Sequence, residues 1–482
     1  MNHKTKPWHV LLLLGLVVAA YFCYCQYGEY LRYTFSNDEP SYTEFSFNSL
    51  KEILSSHRTV GLPLVHQIFS YFFKAQDWPY FQFICVSVAL VALGFLLVRA
   101  GFHWGLAGLI VATVALDPGI LGGFQYIWTE TLSVSILLGA TGFYFCYLFN
   151  PRRWDGIFFT LLLFASYQVR PSLAFSAGLF ALGGVFRPRD WKKTIALSLL
   201  PLVAFISFRG LVVNDFGIVS FAGTNLAGHA TVELSPSVIA ALPKQHKAMA
   251  TRLFERKQWL PMDCAVNDEA PAWELVRQRF PCQDFLMMTA WLLAIEEVHA
   301  KVPFSNPLLN RDPWNHTRTL APFFSIPNVE VDQKLSKFAK AVLSIRWKSY
   351  LKWVGAAFVV SIDRWWTTAG QKPLFMFGVA VLMPLLLIGC ALGMGIRYSG
   401  FALLAPANLQ PSLMWLGLGI GLFCGGILTS SMITVPNIRY VEQYAILLRP
   451  ALWVVVWLVV SALVENWPVG RGMMKSPSLS KE

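Results

Sequence analysis

Recurrent apolar runs of roughly membrane-spanning length constrain this chain more than any other feature. A helix that crosses a bilayer needs about 20 predominantly apolar residues. Ten such runs are readable, at 8–27, 79–98, 104–117, 126–149, 156–169, 172–186, 194–213, 374–396, 411–433 and 442–463. Only 14% of the 482 residues are charged and 55% are hydrophobic, which excludes a water-soluble globular chain. The expected class is an all-α polytopic membrane protein of about ten transmembrane helices. The first run ends in Tyr21-Phe22-Cys23-Tyr24-Cys25 rather than in small residues, which predicts an uncleaved anchor.

The net charge of +12 would point to nucleic acid in a soluble protein. Here the cations fall in short loops: Lys4, Lys6, Arg99, Arg152, Arg153, Arg187, Arg189, Lys192, Lys193, Arg397, Arg471, Lys475 and Lys481 lie on one side. The short loops of the other side hold only Arg170 and Arg439. Short cytoplasmic loops collect Lys and Arg, so both termini are expected in the cytoplasm and no nucleic-acid partner is expected. The chain then divides into a transmembrane module at 1–213, whose first outward loop is 28–78, an outward domain at 214–373, and a second transmembrane module with a cytoplasmic tail at 374–482.

Two short amphipathic patterns occupy the first outward loop. Phe45, Phe47, Leu50, Ile53 and Leu54 form one, and Leu62, Val65, Phe69 and Phe72 the other. Phe-rich helices too short to span lie in the membrane interface. The segment 214–373, punctuated by prolines, is too long for an idle loop and predicts a small, mostly helical domain. Its end, from Ile345 to Trp366, is aromatic and basic, as suits a helix at or dipping into the interface. Of the eight cysteines, six lie in or beside apolar runs. Cys264 and Cys282 fall in the outward domain and are a disulfide candidate, since an oxidising compartment permits one. No zinc-type Cys/His spacing occurs, and no metal ligand is assigned.

Ionisable groups at membrane depth are costly and mark candidate sites. Four such features fall on the outward side. They are Asp38-Glu39 after the first run, Asp117-Pro118 with Trp128-Thr129-Glu130, Arg170-Pro171, and Arg439-Tyr440 before the last run. Taken singly, Asp38 reads as a helix cap, Glu130 as a first-turn acid and Arg170 as an interface marker. Arg209 lies inside an apolar run, where burial demands a partner.

In the order of Asp38-Glu39, Thr129-Glu130, Arg170-Pro171 and Arg439-Tyr440, the chain resembles the multi-spanning glycosyltransferases of the GT-C superfamily, which take sugars from polyprenyl phosphates and include the protein O-mannosyltransferases and lipid A aminoarabinose transferases. The resemblance covers 1–213 and, more loosely, 430–463, and leaves 214–373 unmatched. It implies an integral membrane transferase of the cell envelope. The enzyme would lie in the bacterial inner membrane with its site facing the periplasm. It would move a sugar from a polyprenyl-phosphate donor to a lipid, glycan or protein acceptor.

The same resemblance implies an inverting reaction in which Asp38 is the general base. Glu39 could exchange roles with it, and Glu130 would position the acceptor or the base. Arg170 and Arg439 become candidates for the donor phosphate, with Arg209, Arg346, Lys348 and Arg364 in reserve, because leaving-group charge needs fixed cations. His57, Arg58, Asp117 and His229 are possible substrate contacts. No cofactor is required by this scheme, although the carboxylates could hold Mg or Mn. The alternatives are a surface-polysaccharide polymerase or ligase, and a lipid-linked glycan transporter.

Overall fold

The computed structural model describes residues 7–36, 38–184, 190–258, 260, 264, 270–299, 328–371, 409–433 and 443–466. Among these residues the chain is all-helical, with no strand. Four helices are long and apolar enough to cross a membrane, within Ala75–Arg99, Thr129–Phe149, Trp191–Val213 and Gln410–Met432. Shorter apolar helices cover Leu16–Tyr27, Trp104–Ala115, Asp155–Val169, Pro171–Gly183 and Leu448–Leu458. The expected span at 374–396 and Arg439-Tyr440 lie outside the described residues.

The first module contains α1 (Pro7–Tyr27), α5 (Trp78–Arg99), α6 (Trp104–Ala115), α7 (Pro118–Gly123), α8 (Thr129–Phe149), α9 (Asp155–Val169), α10 (Phe175–Gly183) and α11 (Trp191–Val213). Between α1 and α5 lie α2 (Pro40–Thr43), α3 (Leu50–Ser55) and α4 (Gly61–Ser70). Helix α8 is the most enclosed of the four long apolar helices, and α11 the least. The bundle core runs through Leu93, Leu138, Tyr144, Phe145, Phe159 and Trp415.

Local chemistry sets the helix ends. Asp117 accepts the Gly119 amide at 2.8 Å and so caps α7, with Pro118 in the first position. Helix α9 stops at Val169 because Arg170 precedes Pro171, and a residue before proline is pushed out of the helical region; Arg170 has φ −138° and ψ 103°. Helix α11 ends on Asn214, which takes the left-handed conformation at φ 55°.

These ends sort into two sets. Arg99, closing α5, pairs with Asp155, opening α9, and the Asn150 amide nitrogen donates to the Arg99 carbonyl. At the opposite end, Gln82 donates to the Tyr126 carbonyl at 2.7 Å, and Arg170 meets Glu130 at the start of α8. That second end also carries residues 28–78 and a helical domain, and is called the domain end below.

The domain comprises α12 (Ala222–Val232), α13 (Pro236–Ala241), α14 (Lys244–Gln258), α15 (Ala272–His299) and α16 (Val329–Ile345). Its core joins Ala227, Leu253, Met288, Trp291, Leu335 and Phe338. Helix α12 fits against α16 because Gly223 has no side chain: a Cβ there would lie 2.2 Å from the Asp332 carbonyl. Cys264 and Cys282 are disulfide-bonded, with Cα atoms 5.8 Å apart. Helix α17 (Trp347–Gln371) starts in the domain, where Trp353 packs with Leu275 and Val276. It ends in the bundle, where Trp365 packs 4.8 Å from Phe423 of α18 (Leu409–Ile433). The last helix is α19 (Leu448–Asn466).

Candidate functional site

The 28–78 segment is folded tightly onto the domain end. Its entry is pinned by the Thr34 amide donating to the Gln125 carbonyl at 2.7 Å. Helix α4 presses on the end of α9 at Gly61, where a Cβ would lie 2.5 Å from the Gln168 carbonyl oxygen. Leu62 and Phe69 of α4 pack with Tyr42, Trp78, Ile127, Leu132 and Val169. Phe72, the fourth residue of that expected stripe, is exposed, because α4 ends at Ser70. Leu54 of α3 is buried against Val213 and Val329 rather than turned toward a lipid interface.

Two ion pairs adjoin this apolar cluster. Arg58, between α3 and α4, reaches back to Asp38 at 3.3 Å and donates from Nε to Ser41 Oγ at 3.0 Å. Its guanidinium stands 4.8 Å over Tyr42, a member of that cluster. Arg170 pairs with Glu130 at 3.0 Å and donates to Thr129 Oγ1 at 2.7 Å and Ser172 Oγ at 3.1 Å. The neighbouring residues Leu132 and Val169 belong to the same cluster. The Asp38 and Arg58 side chains are 23% and 26% exposed, whereas Arg170 and Glu130 are 9% and 5% exposed. Asp38-Glu39 is itself split in environment. Glu39 is buried and accepts the Tyr33 hydroxyl at 2.6 and 2.8 Å.

A buried polar network joins this segment to the domain. Arg209 donates from Nε to the Leu54 carbonyl at 2.8 Å and pairs with Asp215 at 2.8 Å, while Ser220 bonds both. The Asn328 amide donates to the Ser55 carbonyl, its side chain donates to the Ser220 carbonyl, and its Oδ1 accepts the Trp291 indole N–H. His57 is buried with its ring near Phe221 and Trp291. Nothing in the sequence singled out Asn328 or Trp291, whose partners lie far along the chain, or Tyr33, whose partner Glu39 is six residues on but outside any helical spacing.

Two groups at this joint have displaced titrations of opposite kind. Burial raises the Asp332 carboxyl to about 6, although it accepts the Thr224 amide at 3.0 Å. Burial holds His57 well below the ordinary imidazole value, reinforced by Arg58. An unfolded carboxyl titrates near 3.8, so Asp332 adds stability that is complete below that value and lost as pH rises through about 6. For His57 the unfolded group protonates near 6.5, so its contribution is lost as pH falls below that value. Asp332→Asn keeps an acceptor for Thr224 and removes the first effect alone. It is expected to melt above wild type at pH 7.5, with the gap closing toward pH 4.5; a constant gap in scanning fluorimetry would sink this account.

Other candidates have definite partners. Arg346 donates to Glu233 at 3.1 Å, and that buried carboxylate also takes Arg279 at 2.8 Å and the Ser349 hydroxyl at 2.8 Å. His229 is buried, with its Nε2 2.8 Å from the Gln283 side-chain nitrogen. Lys348 is exposed, its ammonium 5.7 Å from the Trp347 ring, and Arg364 is half-buried on α17. Asp117 is sealed in the bundle, only 2% exposed, and pairs with Arg449 of α19. Arg449 escaped the sequence reading, although an arginine inside an apolar run is itself a signal. Among the described residues, no group of three or more His, Cys, Asp or Glu is placed to hold a metal ion. The nearest carboxylates to the site, Asp38, Glu39 and Glu130, instead engage Arg58, Tyr33 and Arg170.

Comparison with protein-family models, with curated proteins and with solved structures returned no match.

Proposed function

We propose that this chain is a membrane glycosyltransferase with a GT-C-like bundle of about ten spans. It would transfer a sugar from a polyprenyl-phosphate donor to a lipid, glycan or protein acceptor on the outer face of a cell membrane, with both termini in the cytoplasm. The observation that carries the reading is the environment of Asp38. It is a partly open carboxylate paired with a partly open guanidinium, beside a buried Glu39.

In the reaction, the acceptor hydroxyl gives its proton to Asp38 as its oxygen attacks the anomeric carbon. The bond from that carbon to the phosphate oxygen breaks, and the polyprenyl phosphate leaves with the electron pair. Asp38 then loses the proton to water. Attack opposite the leaving phosphate inverts the anomeric centre. Glu39, held by Tyr33, is suited to fixing the backbone beside the base. Arg170 orients Glu130 toward the same cluster.

The test uses the purified full chain in proteoliposomes, supplied with radiolabelled undecaprenyl-phosphate sugars and a membrane extract as the source of acceptor. Label is expected to move from donor to an extract component. Failure to transfer from every such donor, while the protein remains folded, would refute the proposal.

A further inference from the structure

Tyr350 fixes where α17 crosses the edge of the apolar bundle. Its hydroxyl donates to the carbonyl of Met432 in the last turn of α18, a helix long enough to cross a membrane. Lys348 and Lys352 flank Tyr350 on α17, and both are exposed. Trp347 and Leu351 beside them are 53% and 56% exposed. The next exposed side chain along α17 is that of Val359, and Trp365 then enters the bundle core. The exposed positions of α17 thus change from cationic to apolar where α18 ends.

Helix α15 repeats the pattern at the same level. It lies beside α17: Arg279 donates to Ser349 Oγ at 3.0 Å, and Leu275 and Val276 pack with Trp353. Arg277 stands between those two contacts and is exposed, with its guanidinium 5.7 Å from the exposed Trp273 ring. The Lys348 ammonium lies at the same distance from Trp347. At the opposite end of the bundle, exposed Trp154 and Trp191 are matched in this way with Arg153 and Lys192. Tryptophan collects at both water boundaries of a membrane, and long cationic side chains reach from there to the headgroups. Among the described residues, Arg277, Lys348 and Lys352 have no carboxylate partner. The nearest acids along their helices are otherwise placed. Glu274 accepts the Gln278 side-chain amide at 3.1 Å, and Asp363 lies about three turns beyond Lys352.

We propose that Arg277, Lys348 and Lys352 seat the phosphodiester headgroups of anionic bilayer lipids, with Trp273, Trp347 and Leu351 sunk into the lipid beneath them. Cations level with exposed Trp and Leu match a layer of phosphates lying over hydrocarbon. A zwitterionic headgroup carries the same phosphate, but its own ammonium offsets the charge, so anionic lipids are selected. The seat does not depend on the transferase reading.

Lipid binding to the purified full chain in detergent, counted by native mass spectrometry with dioleoylphosphatidylglycerol and dioleoylphosphatidylcholine, tests this. Wild type is expected to bind phosphatidylglycerol about tenfold more tightly or better, and the preference should shrink as ammonium acetate is raised. Lys348→Gln with Lys352→Gln should weaken phosphatidylglycerol binding about tenfold or more, at about fivefold per cation. Unchanged phosphatidylcholine binding shows that this variant is folded. Adding Arg277→Gln should abolish the preference. Lys337→Gln with Lys340→Gln removes the same charge from exposed positions of α16, which carries no tryptophan, and should change binding by less than about twofold. An equal loss in that α16 variant overturns the proposal, as does a preference untouched by the three substitutions. Wild type with no preference, or with one indifferent to salt, overturns it without any variant. Displacement of the lipid by an equal concentration of glycerol 3-phosphate would show a soluble phosphate to be the ligand and overturn the lipid assignment.

Discussion

Asp38→Asn is expected to lower sugar transfer by about 10²–10⁴-fold, the usual contribution of a positioned general base. The substitution preserves the side-chain volume and an oxygen for Arg58, so the melting temperature should stay close to that of wild type. Glu39→Gln is the informative contrast. Glu39 is buried and receives the Tyr33 hydroxyl, which a glutamine oxygen can still accept. Its loss of transfer is expected to stay within about tenfold, as befits a neighbour that positions the base. Initial rates with a radiolabelled donor measure both. If Glu39→Gln proves to be the inactive variant and Asp38→Asn the active one, the assignment within the doublet is reversed.

The largest effect on stability is expected at the buried Arg449–Asp117 pair. Arg449 and Asp117 are each 2% exposed, and Arg449 also lies 5.8 Å from the Trp365 ring. Arg449→Met keeps the bulk and removes the charge, leaving Asp117 enclosed without its cation. Breaking a buried pair from one side costs about 3–5 kcal/mol. The same pair ties α19 to the turn between α6 and α7, so the last helix should loosen first. The double variant Arg449→Met with Asp117→Asn should regain much of the loss, since asparagine still accepts the Gly119 amide that caps α7. Thermal melts of the detergent-solubilised protein measure all three. A single variant as stable as wild type would contradict the pair as placed here.

How much of this was legible beforehand depends on the range of the interaction. Arg170-Pro171 is a local signal: proline forbids helix at the preceding residue, and α9 ends there. Asp117-Pro118, expected as a possible substrate contact, instead caps α7. Interface-type patterning found α4, yet missed that its stripe stops at Phe69 and that Phe72 points outward. The aromatic, basic end of the domain suggested a helix near the interface. Its burial of Trp365 against Phe423 depends on α18, which begins 44 residues later. In the joint built by Arg209, Asn328 and Trp291 only Arg209 carried a sequence signal; its bond to Leu54 and that of Asn328 to Ser220 each join positions more than a hundred residues apart.

By itself the sequence determined the apolar, helical class of the molecule and some helix ends, as at Arg170-Pro171. Apolar runs with little charge have no stable folded form except as helices shielded from water, and proline and aspartate terminate or cap them through bonds to adjacent residues. It also placed Asp38, Glu130 and Arg170 near helix ends. Only the tertiary structure decided their partners: Asp38 with Arg58, Glu130 with Arg170, and Asp117 with the overlooked Arg449. Pairing of charges is fixed by which helix ends are packed together. That packing is set by non-local contacts such as Gly61 against Gln168, which no short pattern encodes.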